Sequence, residues 1–176
     1  ECVEIVKSMW SQEETTYDGK YYQLVRANCD PKPLQAPRPP IWIGGGGEQL
    51  TLRVVAQHAD YSNFGGSAEE FSRKVEILKG HCLKVGRDES EIKKTTSGEI
   101  LIRDTEKELR EYQIASGRGD NFEQWSYANF VGTPDQVAER IADFVQRGCS
   151  GFVPWCVDYP DKQTLTEFAK IMKMYR

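Results

Sequence analysis

Pro39-Pro40-Ile41-Trp42-Ile43-Gly44-Gly45-Gly46-Gly47-Glu48 reads as a short buried strand that runs directly into four glycines. Beyond it, Leu52, Val55, Ala56 and Ala59 recur at helical spacing, and Ala59-Asp60-Tyr61-Ser62-Asn63-Phe64 is the next strand candidate. Strand, glycine loop and helix together make one unit of a parallel α/β protein. A loop bare of side chains at a helix start presents unpaired N–H groups, which suits an anion such as a cofactor phosphate. The spacing fits neither Gly-x-Gly-x-x-Gly nor Gly-Lys-Ser/Thr, so neither a Rossmann nor a Walker site is indicated. A permissive turn at a helix start is the alternative that this pattern leaves open.

The alternation of strand and helix continues downstream. A helix from Ser67 carries Phe71, Val75, Leu78, Cys82 and Val85 on one stripe, and Ser67-x-x-Glu70 is a capping box. A third strand is expected over Thr95–Ile102, followed by a charged helix near Thr105–Ser116 that opens on the capping box Thr105-x-x-Glu108. Residues Gly117–Val131 show no period and read as an insertion loop. Thr133-Pro134-Asp135-Gln136 then combines an N-cap, a proline at the first helical position and a capping-box Gln, with Val137, Ile141, Phe144 and Val145 buried behind it. Gly151–Cys156 is the last strand, although Pro154 lacks a ladder donor, and a final helix opens near Asp161. Four strands, each followed by a helix, imply a parallel sheet with right-handed crossovers.

Upstream, Thr15–Tyr22 suggests a hairpin with Asp18-Gly19 as a two-residue turn, and five prolines between Pro31 and Pro40 mark extended surface chain. Residues 1–10 look like the last turns of an amphipathic helix, with Cys2, Ile5, Val6 and Met9 on its apolar side. With no Met at the start, the chain is expected to be a fragment of a longer protein.

The 176 residues carry a formal net charge of −4, which argues against nucleic acid or an anionic membrane as partner. No apolar run approaches the roughly 20 residues that span a bilayer, and the first residues do not read as a signal peptide. The five cysteines, Cys2, Cys29, Cys82, Cys149 and Cys156, are scattered, so free and mostly buried thiols in a cytoplasmic protein are expected. His58 and His81 lack partners at ligand spacing, and no metal site is expected.

The ordered motifs Tyr17-Asp18-Gly19-Lys20-Tyr21-Tyr22, Pro31-Lys32-Pro33-Leu34-Gln35, Pro39 through Gly45 and Ala59-Asp60-Tyr61-Ser62-Asn63 resemble the luciferase-like monooxygenase superfamily. More narrowly, they are similar to its coenzyme F420-dependent (deazaflavin) oxidoreductase branch, and Val131–Val137 with Gly148–Pro154 are similar to the family's last β/α unit. The resemblance implies an α/β fold that is the C-terminal half of a TIM (β/α)8 barrel. Residues 1–176 would form one domain, with 11–40 as an insertion and 41–176 as the last four β/α units. It also implies that Gly44, Gly45, Gly46, Gly47 and Glu48 form the flavin-phosphate loop at the mouth of the barrel, where such enzymes keep their sites. Glu48 would turn its side chain away from a phosphate. Asn63 and Trp155 would line the pocket as wall residues, Glu99 would face the barrel interior, and Asp60 would stabilise a strand end. Arg53, one turn into the helix, reads as a solvated or ion-paired side chain, with a phosphate contact as the alternative. No catalytic acid or base is named, because the family's reacting centre is built mainly by the first half of the barrel.

The resulting expectation is an oxidoreductase that transfers hydride between coenzyme F420 and a small organic substrate. An FMN-dependent monooxygenase is the alternative within the same superfamily. An alternative of another class is a non-catalytic half-barrel that assembles with another chain. Either a homo-oligomer or association with the missing barrel half is expected.

Overall fold

A computed structural model describes residues 1–117 and 121–175. The apolar period predicted around the glycines becomes a five-stranded parallel sheet: β3 (Trp42–Gly44), β4 (Tyr61–Asn63), β5 (Lys93–Ile102), β6 (Phe130–Gly132) and β7 (Cys149–Cys156). At ten residues β5 is the longest strand, and it pairs with β4, β6 and β7, while β3 pairs with β4. Lys94 is in register with Ser62 on one side and Cys149 on the other, and Ile100 with Phe130 and Cys156. So β4 and β6 lie in series along one edge of β5, while β7 takes the other. Pro154 sits within β7 without interrupting the register from Gly151 to Cys156, because β7 is paired on one edge only.

Helices cover one face of this sheet. They are α2 (Thr51–His58), α3 (Ala68–Val85), α6 (Pro134–Gln146) and α7 (Gln163–Met172). The capping boxes expected at Ser67, Thr105 and Thr133 all form, the last with Pro134 at the helix start. Phe64, Phe71, Ile100, Ile102, Phe130, Val137, Ile141 and Phe144 fill the main core between sheet and helices. Its rings meet at 5.0 to 6.2 Å in tilted and edge-on pairs, a favourable geometry for aromatic quadrupoles. A second cluster, Val55, Ala56, Leu78, Cys82 and Ile92, joins α2 to α3. The opposite face is covered only at the end of β5, where Leu101 packs on Leu109 and Val131; elsewhere Trp42, Val153 and Trp155 are 50%, 45% and 54% exposed.

Several boundaries differ from the sequence reading. The hairpin pairs β1 (Thr15–Asp18) with β2 (Gln23–Ala27), Asp18 opposite Gln23, so the connection is the four residues Gly19–Tyr22 and not a two-residue turn. The Glu1 carboxylate of α1 (Cys2–Ser11 follows it) is the reason: it accepts the N–H groups of Lys20, Tyr21 and Tyr22 at 2.9, 2.9 and 3.2 Å. The helix after the glycines begins at Thr51, not Glu48, because the Glu48 carbonyl accepts from His81 Nε2 at 2.8 Å. The stretch read as an insertion loop holds α5 (Phe122–Ala128) and the start of β6, after α4 (Glu106–Ala115). Residues 118–120 of that stretch lie outside the described residues. β6 is therefore a fifth strand beyond the four expected. It was hidden because three residues cannot show a period, and Val131 packs on Leu101 and Leu109 in a small cluster of its own.

Candidate phosphate loop at the mouth of the sheet

The C-terminal ends of β3 and β4 lie side by side, with Gly44 in register with Asn63 and Asn63 with Thr95. Alternation along each strand puts Trp42, Gly44, Tyr61, Asn63, Thr95, Ser97, Glu99, Val153 and Trp155 on the open face. Trp42 and Tyr61 stack there, with centroids 4.2 Å apart and planes 9° from parallel. Asn63 Nδ2 donates to Thr95 Oγ1 at 2.9 Å, which fixes the amide as a wall of this face.

The glycine loop leaves the sheet at Gly44. Gly45 adopts φ +119°, a conformation that favours glycine, and its N–H donates to the Asn63 carbonyl at 2.9 Å, tying the loop to β4. At Gly46 the requirement is space: a Cβ there would lie 2.5 Å from the Nζ of Lys74. The hydroxyl of Thr51, first residue of α2, stands beside Gly47. Among the described residues, the N–H groups of Gly46, Gly47 and Glu48 have no protein acceptor. Unbonded backbone donors beside a hydroxyl and an ammonium, with no side chain filling the space, are the donor set that a phosphate requires. The Glu48 carboxylate pairs with Arg73 of α3.

Other sequence candidates fall elsewhere. Arg53 is exposed on α2. Asp60 stands at the foot of the sheet, at the end opposite the loop. Its carboxylate accepts the Ile41 N–H at 2.7 Å and both arms of Arg38 at 2.5 and 3.2 Å. The hydrogen bond from Arg38 holds its pKa below the usual carboxylate value. Glu99 lies on the open face and accepts the indole N–H of Trp125 on α5. Trp155 is half exposed on the same face. His58 ends α2, and burial depresses its pKa.

None of the thiols whose environment is resolved is activated. Burial pushes Cys82, Cys149 and Cys156 upward, away from the thiolate form. Only Cys82 and Cys149 of the five are fully buried, fewer than expected, since Cys2 is exposed and Cys29 and Cys156 are half-buried. The described residues hold no cluster of His, Cys, Asp and Glu suited to a metal ion, and no helix long and apolar enough to cross a membrane. A cavity of about 630 Å³ lies between α4, α5 and α6, lined by Arg110, Phe122, Glu123 and Arg140 among others, and the glycine loop is not part of its lining. The sequence reading did not single out Thr51 or Lys74. Thr51 is signalled only as a hydroxyl opening a helix after glycines, and Lys74 reaches the loop from α3, 28 residues downstream of Gly46.

With the fold and loop in view, three known proteins place the chain. An FMNH2-dependent dimethylsulfone monooxygenase from Pseudomonas putida is 27% identical over 80% of this chain and 48% of its own length. The chain thus spans about half the length of the curated relatives it matches. A coenzyme F420-dependent tetrahydromethanopterin reductase from Methanopyrus kandleri superposes with a TM-score of 0.77 at 17% identity, over 98% of this chain and 61% of its own. An F420-dependent secondary alcohol dehydrogenase superposes with a TM-score of 0.82 at 12% identity, over 99% of this chain and 60% of its own. These likenesses identify the parallel sheet and its helices as the C-terminal half of a TIM-barrel fold. The family model of luciferase-like monooxygenases matches residues 1–129, and the chain belongs to that family.

Proposed function

We propose that this chain works within a complete (β/α)8 barrel as the half that holds the phosphate of a flavin-type cofactor, and that the barrel is an oxidoreductase acting on a small organic substrate. Residues 11–40 are then the insertion that precedes the last four β/α units. The observation that carries this reading is the loop Gly44–Gly47, with free N–H groups at a strand C-terminus beside the open face. In this reading Gly46, Gly47 and Glu48 bind through the backbone, Gly44 and Gly45 bring the chain to the phosphate, and Asn63 walls the ring side. The bound cofactor supplies the electron pair for the reaction. The protein's part at this end is to anchor and orient the cofactor and to keep its own carboxylates off the phosphate.

Two rings fit the loop, since it grips the phosphate alone. The deazaflavin reading, with hydride transfer to or from coenzyme F420, is supported by the motifs from Tyr17 to Asn63. The FMN reading, with O₂ as co-substrate, is supported by the 27% identity to an FMNH2-dependent monooxygenase and is the better supported of the two.

The test is an absorbance titration of the complete barrel with each cofactor. Gly46→Asp places charge and bulk in the loop and is expected to weaken binding at least ~10-fold, about 1.4 kcal/mol. Unchanged affinity in a folded variant would sink the loop assignment.

A further inference from the structure

The phosphate loop is only half of what the structure gathers at this mouth. Lys74 projects from the second turn of α3, and its ammonium sits against the Gly46 backbone. The same Nζ donates to the Gly65 carbonyl at 3.3 Å, in the loop that follows β4. It therefore bridges the loops of two adjacent strands, at the end of the sheet where β3 and β4 stop. Its ammonium also stands over the ring of Phe64, with Nζ 5.9 Å from the centroid, a cation–π contact with a buried aromatic that favours this direction of the side chain.

The carboxylates around it are all engaged elsewhere. Glu48 pairs with Arg73. Glu70, one turn before Lys74 and the natural partner for an i, i+4 ion pair, accepts instead from the Ser67 N–H at 3.0 Å in the capping box. Among the described residues no carboxylate lies within ion-pair distance of Lys74. A half-buried ammonium with three donors and one weakly placed acceptor has two protons left to give. They lie beside the unbonded N–H groups of the glycine loop. The absence of a side chain at Gly46 is what lets the ammonium approach.

We propose that Lys74 is the cationic arm of this site: it binds the cofactor phosphate together with the loop, so that the barrel selects a phosphorylated flavin or deazaflavin over the same ring system without phosphate. The proposal rests on the phosphate reading of the loop and adds to it a charged partner from a different element. Backbone donors alone bind an anion through dipoles; an ammonium adds a charge-assisted bond and a preference for the dianion.

Lys74→Met keeps an unbranched apolar side chain at this position and removes the charge. Dissociation constants are measured on the complete barrel for FMN and riboflavin, and in parallel for coenzyme F420 and its phosphate-free deazaflavin. Wild type is expected to prefer the phosphorylated member of at least one pair. Lys74→Met is expected to weaken that member roughly ten- to a hundredfold, with less than about a twofold change for the phosphate-free partner. Equal weakening of both members would show a merely structural lysine, and no weakening of either would show that the loop binds without it; each overturns the proposal while the loop assignment stands. A wild type with no preference in either pair overturns the loop reading and this proposal together.

Discussion

The two faces of the parallel sheet have opposite fates. On the helix side, Phe64, Phe71, Ile100, Phe130, Ile141 and Phe144 are 4% exposed or less, and four helices close over them. On the other side the same strands leave Trp42, Val153 and Trp155 about half exposed, and α5 reaches that face through the bond from Trp125 to Glu99 and the small cluster at Leu101. One face is a finished core that stabilises the chain; the other carries the proposed cofactor end and exposed aromatic side chains. Stability and function are therefore separated across a single layer of backbone.

The sharpest way to break that separation is to open the helix side. Phe71 is fully buried, 5.0 Å from Phe64 and 5.5 Å from Phe144 between ring centroids. Phe71→Ala is expected to cost about 3–5 kcal/mol through lost transfer energy and the cavity left behind. Denaturant unfolding of the chain measures it, and a loss below about 1 kcal/mol would mean that the core is not the source of stability.

This division also explains what was legible in the sequence. The stripe Phe71, Val75, Leu78, Cys82 and the run Val137, Ile141, Phe144 announce themselves by period, because a face that packs against a sheet must repeat every three or four residues. The capping boxes at Ser67, Thr105 and Thr133 are equally local, and all three form. The three-residue strand β6 and the seven-residue helix α5 are too short for a pattern, and they are held by contacts to distant residues such as Glu99, whose N–H donates to Asn129 Oδ1 at 2.8 Å. The site divides in the same way. Four adjacent glycines are visible in any reading, whereas the approach of Lys74 to Gly46 depends on how α3 lies against the loop, which no local pattern encodes.

At the foot of the sheet, Asp60 ties the proline-rich segment to β3 and β4 through Arg38 and the Ile41 N–H. Asp60→Asn is expected to cost about 1–2 kcal/mol near neutral pH, discounted for the partial exposure of the pair. The sign of its pH dependence follows from the depressed folded-state pKa. The carboxylate's contribution is fully present above the unfolded value of about 3.9, and it is lost as pH falls through the lower folded value. The stability gap between wild type and Asp60→Asn should thus hold from neutral pH to about pH 5 and close in stronger acid. A gap that stays constant down to pH 2 would remove Asp60 as the group responsible.

Smaller again is the cap of α6. Thr133 Oγ1 accepts the Gln136 N–H while Gln136 returns a bond to the Thr133 N–H at 2.8 Å. Thr133→Ala is expected to cost about 1 kcal/mol, read as a lower denaturant midpoint at unchanged slope. A change in slope would mean that the helix end frays in the native state and that the helix layer is less complete than its burial suggests.

The smallest effect on stability should come from the open face, and it is the one that tests the comparison from the other side. Trp155 is 54% exposed, and its strand β7 is paired on one edge only. β3 likewise has a free edge, flanked by an apolar cleft of about 260 Å³ between Val3, Val6 and Trp10 of α1 and Ile41, Trp42 and Ile43. Unpaired strand edges beside exposed indoles favour pairing with other backbone and apolar surface. We propose that this face binds the missing half of the barrel or, when the chain is alone, a second copy. Trp155→Ser should then change unfolding free energy at infinite dilution by less than about 0.5 kcal/mol, because little packing is lost. In sedimentation over a concentration range, the same variant should shift the chain toward monomer. Loss of several kcal/mol on unfolding would make Trp155 part of a finished core. Wild-type chain that stays monomeric at every concentration would mean that the open face is protected within the chain itself, and the contrast between the two faces would then be one of degree.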